Sequence, residues 1–147
     1  MKKVLILCTG NSCRSILAEG LVNKYLPGVL AKSAGSHPKG KINQNAKKVL
    51  EEEGAWREDY RSKGIEEMMG EDFDLVVTVC DNAKESCPAY PSKTKVIHVG
   101  FEDPEGEPFE AFLDLAQKMK KELLPIIEER LFGDQDFEQR LPKRPYA

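Results

Sequence analysis

Eight consecutive residues near the start of the chain carry its densest chemistry: Cys8-Thr9-Gly10-Asn11-Ser12-Cys13-Arg14-Ser15. The pattern is Cys-x5-Arg-Ser, set between an apolar run that reads as a strand and a stretch with helical periodicity. A short loop there turns backbone N–H groups inward and aims a helix N-terminus at the same point. Together they make a cradle for a tetrahedral oxyanion. Thr9, Gly10, Asn11, Ser12, Cys13, Arg14 and Ser15 are therefore candidate oxyanion-binding residues. Gly10 allows the positive φ that so tight a loop needs, and Asn11 also tolerates the left-handed region. Arg14 can hold two oxygens with its planar fork. The same donors favour thiolate over thiol at Cys8, and Ser15 adds a hydroxyl. A sulfur anion beneath a bound oxyanion can displace one of its oxygens. The loop lacks the Gly-Lys-Ser/Thr ending of a nucleotide-binding loop, so no nucleotide is expected. Cys13 has no leaving group to attack and its thiol reads as packing.

A second pair of sulfurs, Cys80 and Cys87, follows the apolar run Leu75-Val76-Val77-Thr78-Val79. On a helix, seven positions return to nearly the same face but ~10.5 Å along the axis. A disulfide needs Cα atoms within roughly 7 Å. Bonding Cys80 to Cys87 would therefore couple redox state to local conformation. A third segment, Gly100-Phe101-Glu102-Asp103-Pro104-Glu105-Gly106, holds two candidate proton donors. Asp103 is preferred over Glu102 as the acid that protonates a departing oxygen. A turn or capping role for Asp103 is the alternative. Neither Cys8-x4-Cys13 nor Cys80-x6-Cys87 has zinc-knuckle spacing, so no metal site and no cofactor are expected. His98 reads as a core residue, His37 as loop, and Trp56, Met68 and Met69 as packing.

These residues need a scaffold, and the alternation of β-rich runs with helical stripes supplies one. Strands are expected at Lys3 to Cys8, Val29 to Ser33, Asp74 to Cys80 and Lys95 to Val99. Helices are expected at Ser15 to Leu26, Ile42 to Glu53 and Pro108 to Arg130, the last kinked or split by Pro125. Gly54 would terminate the second helix. Right-handed crossovers favour an α/β fold: a three-layer α/β/α sandwich on a four-stranded parallel sheet of order 2-1-3-4. The switch point then falls between the first and third strands, beyond their carboxyl ends. Adjacent strands lie ~4.8 Å apart, so Cys8 and Cys80 become neighbours there.

The 147 residues, with 40% hydrophobic content, fit one catalytic domain spanning 1–147, whose polar tail at 134–147 has no assigned role. A net charge of −3 gives no basic surface for nucleic acid or an anionic membrane. No apolar run approaches the roughly 20 residues that span a bilayer. A cytoplasmic location is expected, where four cysteines point to catalysis rather than structural bridges.

Cys8 to Ser15, Ser33-Ala34-Gly35, Val76 to Cys80, Cys87-Pro88 and Gly100 to Gly106 together resemble the thioredoxin-coupled arsenate reductases, which have the low-molecular-weight tyrosine phosphatase fold. The resemblance covers roughly residues 3 to 131. It implies that Cys8 attacks arsenate, that Arg14 and the loop amides hold its oxygens, and that Asp103 protonates the leaving hydroxyl. It further implies that Cys80 then takes Cys8 into a disulfide and expels arsenite. Cys87 next forms the Cys80–Cys87 disulfide, which thioredoxin reduces. Phosphate and sulfate would compete for the cradle, and a monomer is expected. Some members bind potassium at positions matching Asn11, Glu19 and Ser33. Here the carboxylate that completes that site is replaced by Lys63, so potassium activation is not expected. The competing readings are a phosphatase using Cys8, Arg14 and Asp103 alone, and a non-enzymatic redox or oxyanion sensor.

Overall fold

The computed structural model describes residues 1–81, 88–90 and 93–133. Cys87 and the tail at 134–147 lie outside them. Four strands, β1 (Lys2–Cys8), β2 (Val29–Gly35), β3 (Leu75–Thr78) and β4 (Val96–His98), form one parallel sheet of order β2-β1-β3-β4. This is the order expected from the sequence. The helices are α1 (Arg14–Tyr25), α2 (Gln44–Glu52), α3 (Phe109–Glu122) and α4 (Leu124–Phe132), with a 3-10 turn at Ile65–Met68 that the sequence pattern did not suggest.

Strand β1 runs through the middle of the sheet, and alternation along it separates two apolar clusters. Val4, Ile6 and Cys8 face a core filled by Ile16 and Leu21 of α1, Val49 of α2, Phe112 and Met119 of α3 and Ile127 of α4. Leu5 and Leu7 face the other way, against Ala34, Ile65, Met68, Phe73 and Val76, with Tyr90 packed alongside. Helix α1 is buried from Arg14 to Val22, which is why it shows less of a one-sided stripe than α2 or α3.

Glu53 caps α2 and Gly54 follows at φ 69°, the left-handed terminator expected there. The long C-terminal helix splits at Leu123, two residues ahead of Pro125. Proline cannot donate a backbone bond and its ring crowds the carbonyl four residues back, so it is accommodated in the first turn of α4 instead. Two packing expectations need correction. His98 is exposed on β4, an edge strand, and hydrogen-bonds Thr78 (Oγ1 to Nδ1, 2.7 Å) rather than joining the core. Met69 is 52% exposed, whereas Met68 is buried.

Candidate active site

The switch point between β1 and β3 carries a cavity of about 320 Å³ lined by residues 8–14, His37, Lys39, Asp103 and Glu105. Helix α1 begins there without a side-chain cap at Cys13 and without an acidic residue in its first turn. Its positive dipole end is thus left to face the cavity.

Cys8 ends β1 and is 2% exposed. Asn11 N donates to its Sγ at 3.3 Å, and Ser15 Oγ lies 2.9 Å from it. Asn11 Nδ2 donates to both Ser15 Oγ (2.7 Å) and Ser33 Oγ (2.9 Å). Ser33 Oγ in turn donates to Glu19 Oε1 at 2.6 Å. The Asn11 Oδ1 accepts from Lys63 N at 2.9 Å, so every polar atom of this fully buried carboxamide is used.

Asn11 is the sole non-glycine with positive φ (46°) among the described residues, and Gly10 is not in that region. Of the two residues the sequence left open for this turn, Asn11 takes it, held there by its three side-chain bonds. Gly10 instead makes room for Lys39, since a Cβ on it would lie 3.3 Å from Lys39 Cγ and Cε. Gly35, at the end of β2, is under harder constraint. A Cβ there would lie 2.5 Å from Thr9 O and 3.0 Å from Asn11 N.

Arg14 is 4% exposed and donates from NH1 to Phe101 O at 3.3 Å. Its NH2 lies 3.6 Å from Asp103 Oδ2. Phe101 N in turn bonds Val79 O (3.1 Å), so the segment carrying Asp103 hangs from the end of β3. Asp103 borders the anion cavity, whereas Glu102 lines only a neighbouring cleft of about 500 Å³. Geometry thus favours Asp103 over Glu102. Burial pushes the Cys13 thiol well above its usual range, consistent with an unreactive packing thiol.

Cys80 is fully buried just beyond β3, while Cys8 and Cys13 are free thiols. The pairing Leu7↔Thr78 and the bond from Val79 N to Leu7 O (2.9 Å) bring the two strand ends together.

Behind the loop, burial raises the Glu19 carboxyl to about 7, despite the Ser33 bond and the attraction of Lys63. Burial lowers Lys63, partly offset by Glu19. This donor set does not fit a monovalent cation: Asn11 turns its amide nitrogen to Ser33 and gives its Oδ1 to Lys63 N, and the Lys63 charge already favours the Glu19 carboxylate. Three lining residues escaped the sequence reading as site residues, namely His37, Lys39 and Glu105. No local pattern marks them: Lys39 Nζ pairs with Glu105 Oε2 across 66 positions of chain, and His37 is placed by its backbone bond to Thr9 O.

A parallel 2-1-3-4 sheet with a Cys-x5-Arg loop at its switch point defines an oxyanion-handling α/β class. The chain belongs to the low molecular weight phosphotyrosine protein phosphatase family, whose pattern it matches over residues 3–124. It is 43% identical to an arsenate reductase of Halalkalibacterium halodurans over 104 residues, 70% of this chain and 74% of that one. It superposes on an arsenate reductase of Archaeoglobus fulgidus with TM-score 0.76 at 28% identity, covering 86% of this chain and 99% of that one. A low molecular weight protein tyrosine phosphatase of T. tengcongensis aligns with TM-score 0.72 at 27% identity, covering 88% and 99%.

Proposed function

We propose that the protein is an arsenate reductase that converts arsenate to arsenite through Cys8, Cys80 and Cys87, regenerated by thioredoxin. The reading rests on one observation above others. The Cys8 sulfur lies at an anion cradle with Asn11 N and Ser15 Oγ on it, beside the strand end that carries Cys80. The sulfur attacks arsenic while the loop amides, the α1 N-terminus and Arg14 hold the oxygens. One arsenic oxygen leaves as water, taking a proton from Asp103. Cys80 thiolate then attacks the Cys8 sulfur. The sulfur–arsenic bond breaks with its electron pair remaining on arsenic, which leaves as arsenite, and a Cys8–Cys80 disulfide forms. Cys87 thiolate attacks Cys80, releases Cys8 thiolate and forms Cys80–Cys87. Thioredoxin's dithiol returns the two electrons that arsenate consumed. A phosphatase reading shares Cys8, Arg14 and Asp103, whose 3.6 Å approach of acid to guanidinium involves neither Cys80 nor Cys87.

The test is arsenate-dependent NADPH oxidation with thioredoxin and its reductase, with glutaredoxin and glutathione in a parallel arm. Sustained turnover is expected with thioredoxin, and Cys87→Ser should stop after a single turnover. Multiple turnovers by Cys87→Ser would refute the relay. Efficient aryl phosphate hydrolysis without arsenate turnover would establish the phosphatase instead.

A further inference from the structure

We propose that Lys39 and Glu105 form a collar across the mouth of the anion cavity that sets substrate class, admitting free tetrahedral oxyanions and disfavouring esters with a bulky organic group. The inference rests on the reading of this cavity as the reaction site.

Lys39 is held by the loop it crosses. Ser36 N, His37 N and Lys39 N bond Cys8 O, Thr9 O and Gly10 O at 3.3, 2.9 and 2.9 Å, a ladder that fixes the backbone of residues 36–39 along the cradle. The aliphatic stem then lies on Gly10 in contact that a methyl group would crowd. From there the ammonium reaches Glu105 on the opposite wall. Glu105 is fixed in its turn, because its backbone N–H donates to Asp103 Oδ1 at 3.0 Å, and Asp103 Oδ2 faces Arg14. Lys39, Glu105, Asp103 and Arg14 thus ring the cavity, two cations and two anions. The pair at the mouth is neutral and does not repel an incoming anion. Free arsenate or phosphate carries no organic group that has to pass the pair. The organic group of an ester has to emerge from the cradle, and on this side it does so only by parting the pair. At 40% and 48% side-chain exposure the pair sits at the solvent edge, so it acts as a yielding barrier, not a wall.

The test uses inorganic phosphate as the small probe and phenylphosphonate as the bulky, non-hydrolysable one, with dissociation constants measured by calorimetry. Wild type should favour phosphate. Glu105→Ala keeps the backbone N–H that holds Asp103, and Lys39→Ala keeps the ladder. Each should shift the ratio of the two constants toward phenylphosphonate by about 5-fold, the ~1 kcal/mol upper range of an exposed ion pair. The charge-exchanged double variant, Lys39→Glu with Glu105→Lys, restores the pair and should return the ratio to within about twofold of wild type. An unchanged ratio in both single variants, or a double variant that stays open, would overturn the collar. A wild type that binds no phosphate would instead overturn the anion-site reading beneath it.

Discussion

At Glu19, burial and hydrogen bonding pull in opposite directions. Desolvation disfavours the carboxylate, while Ser33 and Lys63 favour it, and burial wins by raising the group from 4.5 to about 7. A carboxyl raised on folding stabilises the fold below its unfolded value and loses that contribution as pH climbs through the folded one. The wild type should therefore lose up to about 3 kcal/mol between pH 4.5 and pH 8 from this group alone, an upper figure given its coupling to Lys63. Glu19→Gln has no such titration. Its melting temperature relative to wild type should rise by several degrees between pH 5 and pH 8, read by parallel thermal melts. A difference independent of pH would show that the carboxylate is tolerated without cost. The residues that pack around the group and set its charge environment are Lys63, Asp59, Arg57 and Tyr60.

Asn43, the N-cap of helix α2, ties that helix to the anion loop. Asn43 Oδ1 accepts from Asn45 N and Ala46 N at 2.8 and 3.2 Å, and Asn43 N donates to Ser12 O at 2.9 Å. Asn43→Ala removes the cap but keeps the backbone bond. It should cost about 1 kcal/mol, roughly 2–4 °C in melting temperature, with phosphate affinity retained. Loss of affinity would mean that the side chain also positions the loop. Elements such as these were readable in the sequence wherever periodicity and punctuation agreed. The β-rich run Leu75 to Val79, the continuous apolar run of β1 and the Gly54 stop are cases in point. The 3-10 turn at Ile65–Met68 was not readable, because four residues present no period. Nor was the identity of the left-handed residue in the loop. Gly10 has the lower intrinsic cost, but three side-chain bonds hold Asn11 there instead. Tertiary contacts decided what local preference left open.

Across the whole molecule, the sheet order gathers Cys8, Cys80 and the Asp103 segment at one end. That convergence was inferable from the crossover rule, since it depends on strand order and not on side-chain detail. The Lys39–Glu105 pairing was not inferable, because the rule places strand ends but says nothing about which side chains of two long connections meet. An anion bound at this end should stabilise the entire fold by mass action, about 2.7 kcal/mol at a hundred times its dissociation constant. For a domain of this size, phosphate should raise the melting temperature by roughly 5–10 °C, and Arg14→Ala should abolish most of the rise. A wild-type melting point indifferent to phosphate would contradict the cradle.

Gly35 touches no candidate substrate atom, yet the backbone of the cradle rests against it. One added methyl would press on the Thr9 carbonyl and the Asn11 amide, neither of which can rotate away as a side chain can. The anion loop thus takes its shape from a neighbouring strand as well as from its own residues. A chain altered at this one position can keep its sheet, its helices and all its sulfurs and still be inert, with a lesion that no inventory of reactive groups would locate.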